Sequence, residues 1–139
     1  MYKKTIVYED FNGVERKEDF YFNLNKAEIM QTTFGYAGDI VEFLQKIIDT
    51  KDKPKLAEMF KELILKSYGE KSDDGKRFIK TGPDGRPLSE KFEETIAFSD
   101  LYMELATNDK AAAEFVNGII PKDIAAKMAE EAARLEQFN

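Results

Sequence analysis

The stretch that most limits what this chain can fold into is its beginning. Tyr2 to Glu9 is rich in Tyr, Thr, Ile and Val, Phe11-Asn12-Gly13 interrupts it, and Val14 to Phe22 follows. Asn-Gly between two such runs signals a hairpin, because both residues tolerate the positive φ of a tight turn. The two-residue alternation of a pleated strand places Ile6, Tyr8, Phe20 and Phe22 on one face. An isolated hairpin is marginal in water. That face must therefore be covered by a helix or by a neighbouring subunit, and the expected class is α+β, with the hairpin packed against a mostly helical bundle.

The remainder reads as helices. Asn25 and Glu28, three residues apart, resemble a capping box opening a short helix to about Thr32, and Thr33 to Gly38 breaks it. Asp39 heads a second helix whose apolar positions Ile40, Phe43, Leu44, Ile47 and Ile48 follow the 3.6-residue period. Asp52-Lys53-Pro54 starts a third, with Leu56, Met59, Phe60, Leu63, Ile64 and Tyr68 on one stripe and Gly69 placed as a left-handed C-terminal cap. The second and third helices are expected to form an antiparallel pair. Residues 70–88 read as a polar loop tacked down by Phe78 and Ile79. Ser89 is a cap candidate for a central helix over about 90–106, with Phe92, Ile96, Ser99, Tyr102, Met103 and Ala106 on one stripe and Phe98, Leu101 and Leu105 beside it, together one wide apolar stripe. Asn108 or Asp109 caps a short helix ending at Gly118, and a terminal helix carries a thin seam of Ile124, Ala125, Met128, Ala132 and Leu135. The chain divides into a 1–24 hairpin, 25–69 helices, the 70–88 loop, 89–121 central helices and a 122–139 amphipathic helix suited to a partner. At 139 residues all of this is expected to form one domain, 1–139.

Composition narrows the chemistry. There is no cysteine and no histidine, which removes thiolate metal sites, disulfides, cysteine nucleophiles and the commonest general base. The net charge of −6 disfavours nucleic acid and anionic membrane as partners. No apolar run approaches the ~18 residues of a membrane span, and the N-terminus lacks the apolar segment of a signal peptide. Asp73-Asp74-Gly75 and Asp84-Gly85 lack calcium-loop spacing and read as turns. The glycines Gly69, Gly75, Gly82 and Gly85 are too scattered to cradle a phosphate. Carboxylate neighbours such as Glu93-Glu94 and Glu130-Glu131 point in different directions on a helix and read as solvated. Lys76-Arg77-Phe78-Ile79-Lys80 mixes basic and aromatic residues but is short and lies in an acidic chain. No catalytic, cofactor or metal set emerges. What remains is binding to other proteins, for which strand edges and an amphipathic helix are ordinary means.

Tyr-Gly-Glu-Lys-Ser-Asp-Asp-Gly-Lys-Arg-Phe (Tyr68 to Phe78), Phe98-Ser99, Leu101 to Thr107 and Ala111 to Pro121 resemble the tail assembly chaperone family of long-tailed phages and prophages of Gram-positive bacteria. So do Tyr-Lys-Lys-Thr-Ile, Asp10 to Gly13 and Glu18 to Leu24 near the start. The resemblance implies a non-enzymatic protein of the host cytoplasm, absent from the mature virion. It would self-associate, bind the tape measure protein and keep it soluble until the tail tube polymerises. A longer frameshifted form, where one is made, would reach the tail tube protein. The alternative is a structural tail or connector component retained in the virion. The departure from the family's phrasing is Thr81 to Pro87, which lengthens the middle loop. On this reading the partner-binding residues are Ile6, Tyr8, Phe20 and Phe22 of the hairpin face, with Ile124, Met128 and Leu135 of the terminal seam.

Overall fold

The N-terminal alternation becomes two strands, β1 (Tyr2–Glu9) and β2 (Glu15–Phe22), antiparallel from Tyr2↔Phe22 to Glu9↔Glu15. A computed structural model describes residues 1–31, 52–126 and 130. The expected helix headed by Asp39, the break before it, and seam residues Met128 and Leu135 lie outside the described residues. After the hairpin come α1 (Lys26–Gln31), α2 (Lys53–Ser67), β3 (Tyr68–Lys71), β4 (Phe78–Ile79), α3 (Ser89–Glu93), α4 (Ile96–Thr107) and α5 (Asp109–Ile119). Residues 122–126 are helical as well. The class is mixed α+β with helix predominating, as expected.

The sheet is larger than the hairpin. Its order is β1-β2-β3-β4, with every neighbour antiparallel. The segment expected to be a polar loop therefore supplies two strands, although β3 touches β2 only at Tyr21↔Gly69 and Phe22↔Tyr68. Gly69 is correspondingly not a left-handed cap. The chain leaves α2 through Tyr68 in extended conformation and enters β3 directly. A Cβ on Gly69 would lie 2.5 Å from the Phe78 ring and 2.7 Å from the Ile79 carbonyl, so close strand approach is what requires glycine there.

Local chemistry sets the helix starts. Asn25 Oδ1 accepts from the Glu28 amide at 2.8 Å while Glu28 accepts from the Asn25 amide at 3.0 Å, so the capping box is complete. Asp52 caps α2, with Pro54 in its first turn, and Asn108 caps α5. The expected 90–106 helix is two. Thr95 adopts extended backbone, donates its hydroxyl to Phe92 O at 2.6 Å and accepts from the Phe98 amide at 3.1 Å, closing α3 and opening α4. That break resets the helical phase. The buried stripe of α4 is Ala97, Phe98, Leu101 and Leu105, whereas Met103 is 55% exposed and Ser99 is exposed. Of the expected wide stripe, Phe92, Phe98, Leu101 and Leu105 are the buried members.

Gly118 does not end α5, which continues to Ile119. A Cβ there would come within 2.5 Å of Tyr2, so the residue lets β1 lie against the helix. The core joins α2 (Met59, Phe60, Leu63, Ile64), α4 and α5 (Phe115, Val116, Ile119) to the hairpin root. Phe92 is its aromatic centre, stacked on Tyr68 at 4.1 Å and packed on Phe20, Phe22 and Phe98 at 5.3, 5.9 and 5.7 Å. Such pairs contribute about 0.5–1.5 kcal/mol each beyond area burial. The root is also fixed by backbone bonds from Asn23 N to Ser67 O and from Leu24 N to Ile119 O, both 2.7 Å. Tyr2 meets Phe115 edge-on at 5.5 Å, and Lys4 pairs with Glu104 at 2.9 Å.

Candidate interaction surface

Helices cover only the root of the hairpin. Ile6 is 7% exposed and Phe22 fully buried, but from Val7 to Lys17 every residue except Tyr8 and Asp10 is exposed. Since β2 meets β3 only at its last two residues, this outer part stands clear as an arm without a strand neighbour on either edge among the described residues. Three apolar side chains show on it: Val7 (54% exposed), Phe11 (82%) and Val14 (50%). Burying a side chain of that kind is worth about 1.5–3 kcal/mol, so apolar groups left in water on the arm are a reserve of contact energy.

The arm tip is held by one carboxylate. Asp10 Oδ1 accepts from the amides of Asn12 (2.9 Å) and Val14 (3.0 Å), and Oδ2 accepts from Arg16 Nε at 2.6 Å. Its backbone amide donates to Val14 O and its carbonyl accepts from Gly13 N, both at 2.9 Å, with Gly13 at φ 78°. The Arg16 guanidinium and then the Val14 amide hold the Asp10 carboxyl below the usual carboxylate range. Farther in, the Tyr8 hydroxyl donates to Glu18, which, with some desolvation, pushes the phenol up. The arm is acidic: between Val7 and Asp19 there are five carboxylates, Glu9, Asp10, Glu15, Glu18 and Asp19, against Arg16 and Lys17, with Glu18 and Asp19 inward of the tip, opposite Ile6 and Thr5.

Beneath the arm, where β2 and β3 splay apart, an open cleft of about 390 Å³ is lined by residues 18–21 and 68–71. Phe20 is at this cleft, half-buried against Phe92, and Tyr8 is half-buried 6.4 Å from Phe20. Burial raises the Tyr68 phenol at the same place. Of the hairpin residues expected to bind partners, Tyr8 and Phe20 thus reach the surface and Ile6 and Phe22 lie in the core. Ile124 is half-buried against that core. The exposed residues Phe11, Val14 and Val7 were not in that expected set. An aromatic inside an acidic turn was the available signal, and it reads as turn punctuation unless the turn is known to project.

Other polar clusters have structural explanations. Lys80 reaches Glu28 at 2.5 Å and the Lys66 carbonyl at 2.8 Å, and burial lowers its pKa against the opposing pull of Glu28. Asp74 is lowered by hydrogen bonds from Ser72 and the Lys76 amide in the β3–β4 turn. No group of acidic side chains among the described residues could hold a metal ion, and no described helix is long and apolar enough to cross a membrane.

Fold and surface together define a small α+β protein with an acidic, apolar-tipped arm. A family model for phage tail assembly chaperones matches residues 1–139, and the chain belongs to that family. No curated protein and no solved structure matches it.

Proposed function

We propose that this tail assembly chaperone binds the tape measure protein and keeps it soluble for tail tube polymerisation, acting by contact and without bond chemistry. Membership of the family over the whole sequence given is the observation that carries this reading. The exposed apolar arm is consistent with it, since a holding protein must offer apolar surface to an apolar client. Client contact is assigned to the hairpin face that includes Tyr8 and Phe20, rooted by Ile6 and Phe22, and to the terminal seam of Ile124, Met128 and Leu135. The protein is placed in the host cytoplasm and outside the mature virion, self-associating there, with the tail tube protein reached through a longer form.

Co-expression tests this directly. The phage's tape measure protein should move from the pellet to the soluble fraction when the chaperone is present, and deletion of residues 122–139 should reduce the soluble yield. No gain in soluble client with the intact chain would overturn the reading. Mass spectrometry of purified particles should find no copy of the chain, whereas a stoichiometric copy would assign it to the virion as a structural component.

A further inference from the structure

We propose that two copies of this chain pair along β1, edge to edge and antiparallel about a two-fold axis at Ile6, so that their sheets become one. The proposal rests on the self-association put forward above and names the surface that carries it. β1 is the terminal strand of the sheet order, and its eight residues pair with β2 from Tyr2↔Phe22 to Glu9↔Glu15 without a bulge or a proline. Exposed edges are commonly blunted by shortness, proline or a bulge, and β1 has none of the three. In the same register Asp10 N donates to Val14 O, so the even-numbered residues of β1 turn their backbone groups toward β2. Lys3, Thr5, Val7 and Glu9 turn theirs away, and among the described residues no strand takes them. The side chains of all four are exposed.

Charge selects both the occupant and the register. In an antiparallel pair outward-turned residues meet outward-turned residues, so Lys3 can face Thr5, Val7 or Glu9 of the second copy. With Lys3 opposite Glu9, the two-fold repeats that pair at the other end, sets Thr5 against Val7 and brings Ile6 to its own counterpart. Neither Lys3 nor Glu9 makes a salt bridge among the described residues. Within one chain Glu9 lies directly opposite Glu15, and like charges so placed are destabilising. The second copy's Lys3, on the free side of Glu9, offsets that repulsion. β2 offers a shorter edge, because β3 occupies it at Tyr21 and Phe22. An extended segment of another protein could use the same backbone groups, but only a second copy supplies both charges at this spacing.

Sedimentation equilibrium of the full chain over a range of concentrations reads the association, and the intact chain should dimerise. Val7→Pro removes an outward N–H from each copy without touching the β1–β2 ladder, and should raise the dimer Kd at least tenfold. Lys3→Glu and Glu9→Lys each set like charges across the axis twice, and each should weaken the dimer about tenfold, less at high salt. The double variant Lys3→Glu with Glu9→Lys should restore it. Thermal unfolding of the dilute proteins checks that each variant folds, and the charge variants decide the matter should Val7→Pro not fold. An intact chain that dimerises while the single reversals leave its Kd unchanged, or a double variant that stays dissociated, would overturn pairing along β1 alone. A chain monomeric at every concentration would overturn self-association as well, even if a strand of another protein then took the edge.

Discussion

Among the described residues two hairpins share one sheet, and their turns are built alike. In β1–β2, Asp10 accepts from the amides of Asn12 and Val14 and Gly13 takes φ 78°; in β3–β4, Asp74 accepts from Ser72 Oγ at 2.7 Å and the Lys76 amide at 3.0 Å, and Gly75 takes φ 73°. What the turns present differs. The first displays Phe11 and Val14, while the second displays Asp73, Lys76 and Arg77 and keeps its aromatic, Phe78, half-buried over Gly69. A pinned turn is thus a general device in this fold, and only one copy carries apolar side chains outward. The difference separates closing a chain reversal from offering a contact.

Substitution at the roots and tips should sharpen that contrast. The largest effect is expected at the first root: Phe22→Ala removes a fully buried ring touching Phe92, Phe115 and Tyr68 and should cost about 3–5 kcal/mol in denaturant unfolding. A loss under 1 kcal/mol would mean that the hairpin is not seated on the helices as described. Next come the two glycines under aromatic rings. Gly118→Ala would ordinarily favour a helix by about 1 kcal/mol, but the contact with Tyr2 should reverse the sign to a loss of about 1–3 kcal/mol, and Gly69→Ala should behave similarly because Phe78 and the Ile79 carbonyl are in the way. Phe78→Ala, at a half-buried site, should cost about 1–2 kcal/mol and make the 70–88 segment more sensitive to protease. Unchanged digestion would remove Phe78 as its anchor. Phe11→Ala should shift stability by no more than about 0.5 kcal/mol, and a larger loss would show that the first tip is structural like the second.

The smallest expected effect is alkaline. Burial raises the phenols of Tyr2 and Tyr68. The folded state therefore retains their protons where the unfolded chain, with tyrosines near pKa ~10, has begun to lose them. Stability from these groups is complete below pH ~10 and declines as the pH rises beyond it. Tyrosinate absorbance should develop late for these residues, and a single unshifted transition for all six tyrosines would contradict their burial.

Much of this could be read from the sequence where local chemistry and tertiary packing agree. The first hairpin, the Asn25/Glu28 box, the Asp52-Lys53-Pro54 start and the α2 stripe each have a signal within a few residues. The second hairpin was hidden because its strands are four and two residues long and include Glu70 and Lys71, so no alternation can build up. Gly69 and Gly118 both sit where a helix would normally stop, yet each is glycine because an aromatic ring occupies the space of its Cβ. Thr95 was missed because a hydroxyl cap in the middle of an apolar stripe has no Gly or Pro beside it. The candidate surface was legible as a class, strand edges and exposed apolar groups, but not by residue. Alternation marks the inner face of a hairpin, whereas Phe11 owes its exposure to how far the arm extends past the helices.

The contact between Tyr2 and Gly118 also fixes an order of events during synthesis. The cover for the first strand comes from α4 and α5, through Glu104, Phe115 and Gly118, so the hairpin emerges from the ribosome long before the helices that bury its inner face. Until they follow, the inner face of β1, Ile6 included, remains open to water and to other chains. Closure is non-local, and the slow step should be the docking of late-made helices onto an early strand pair.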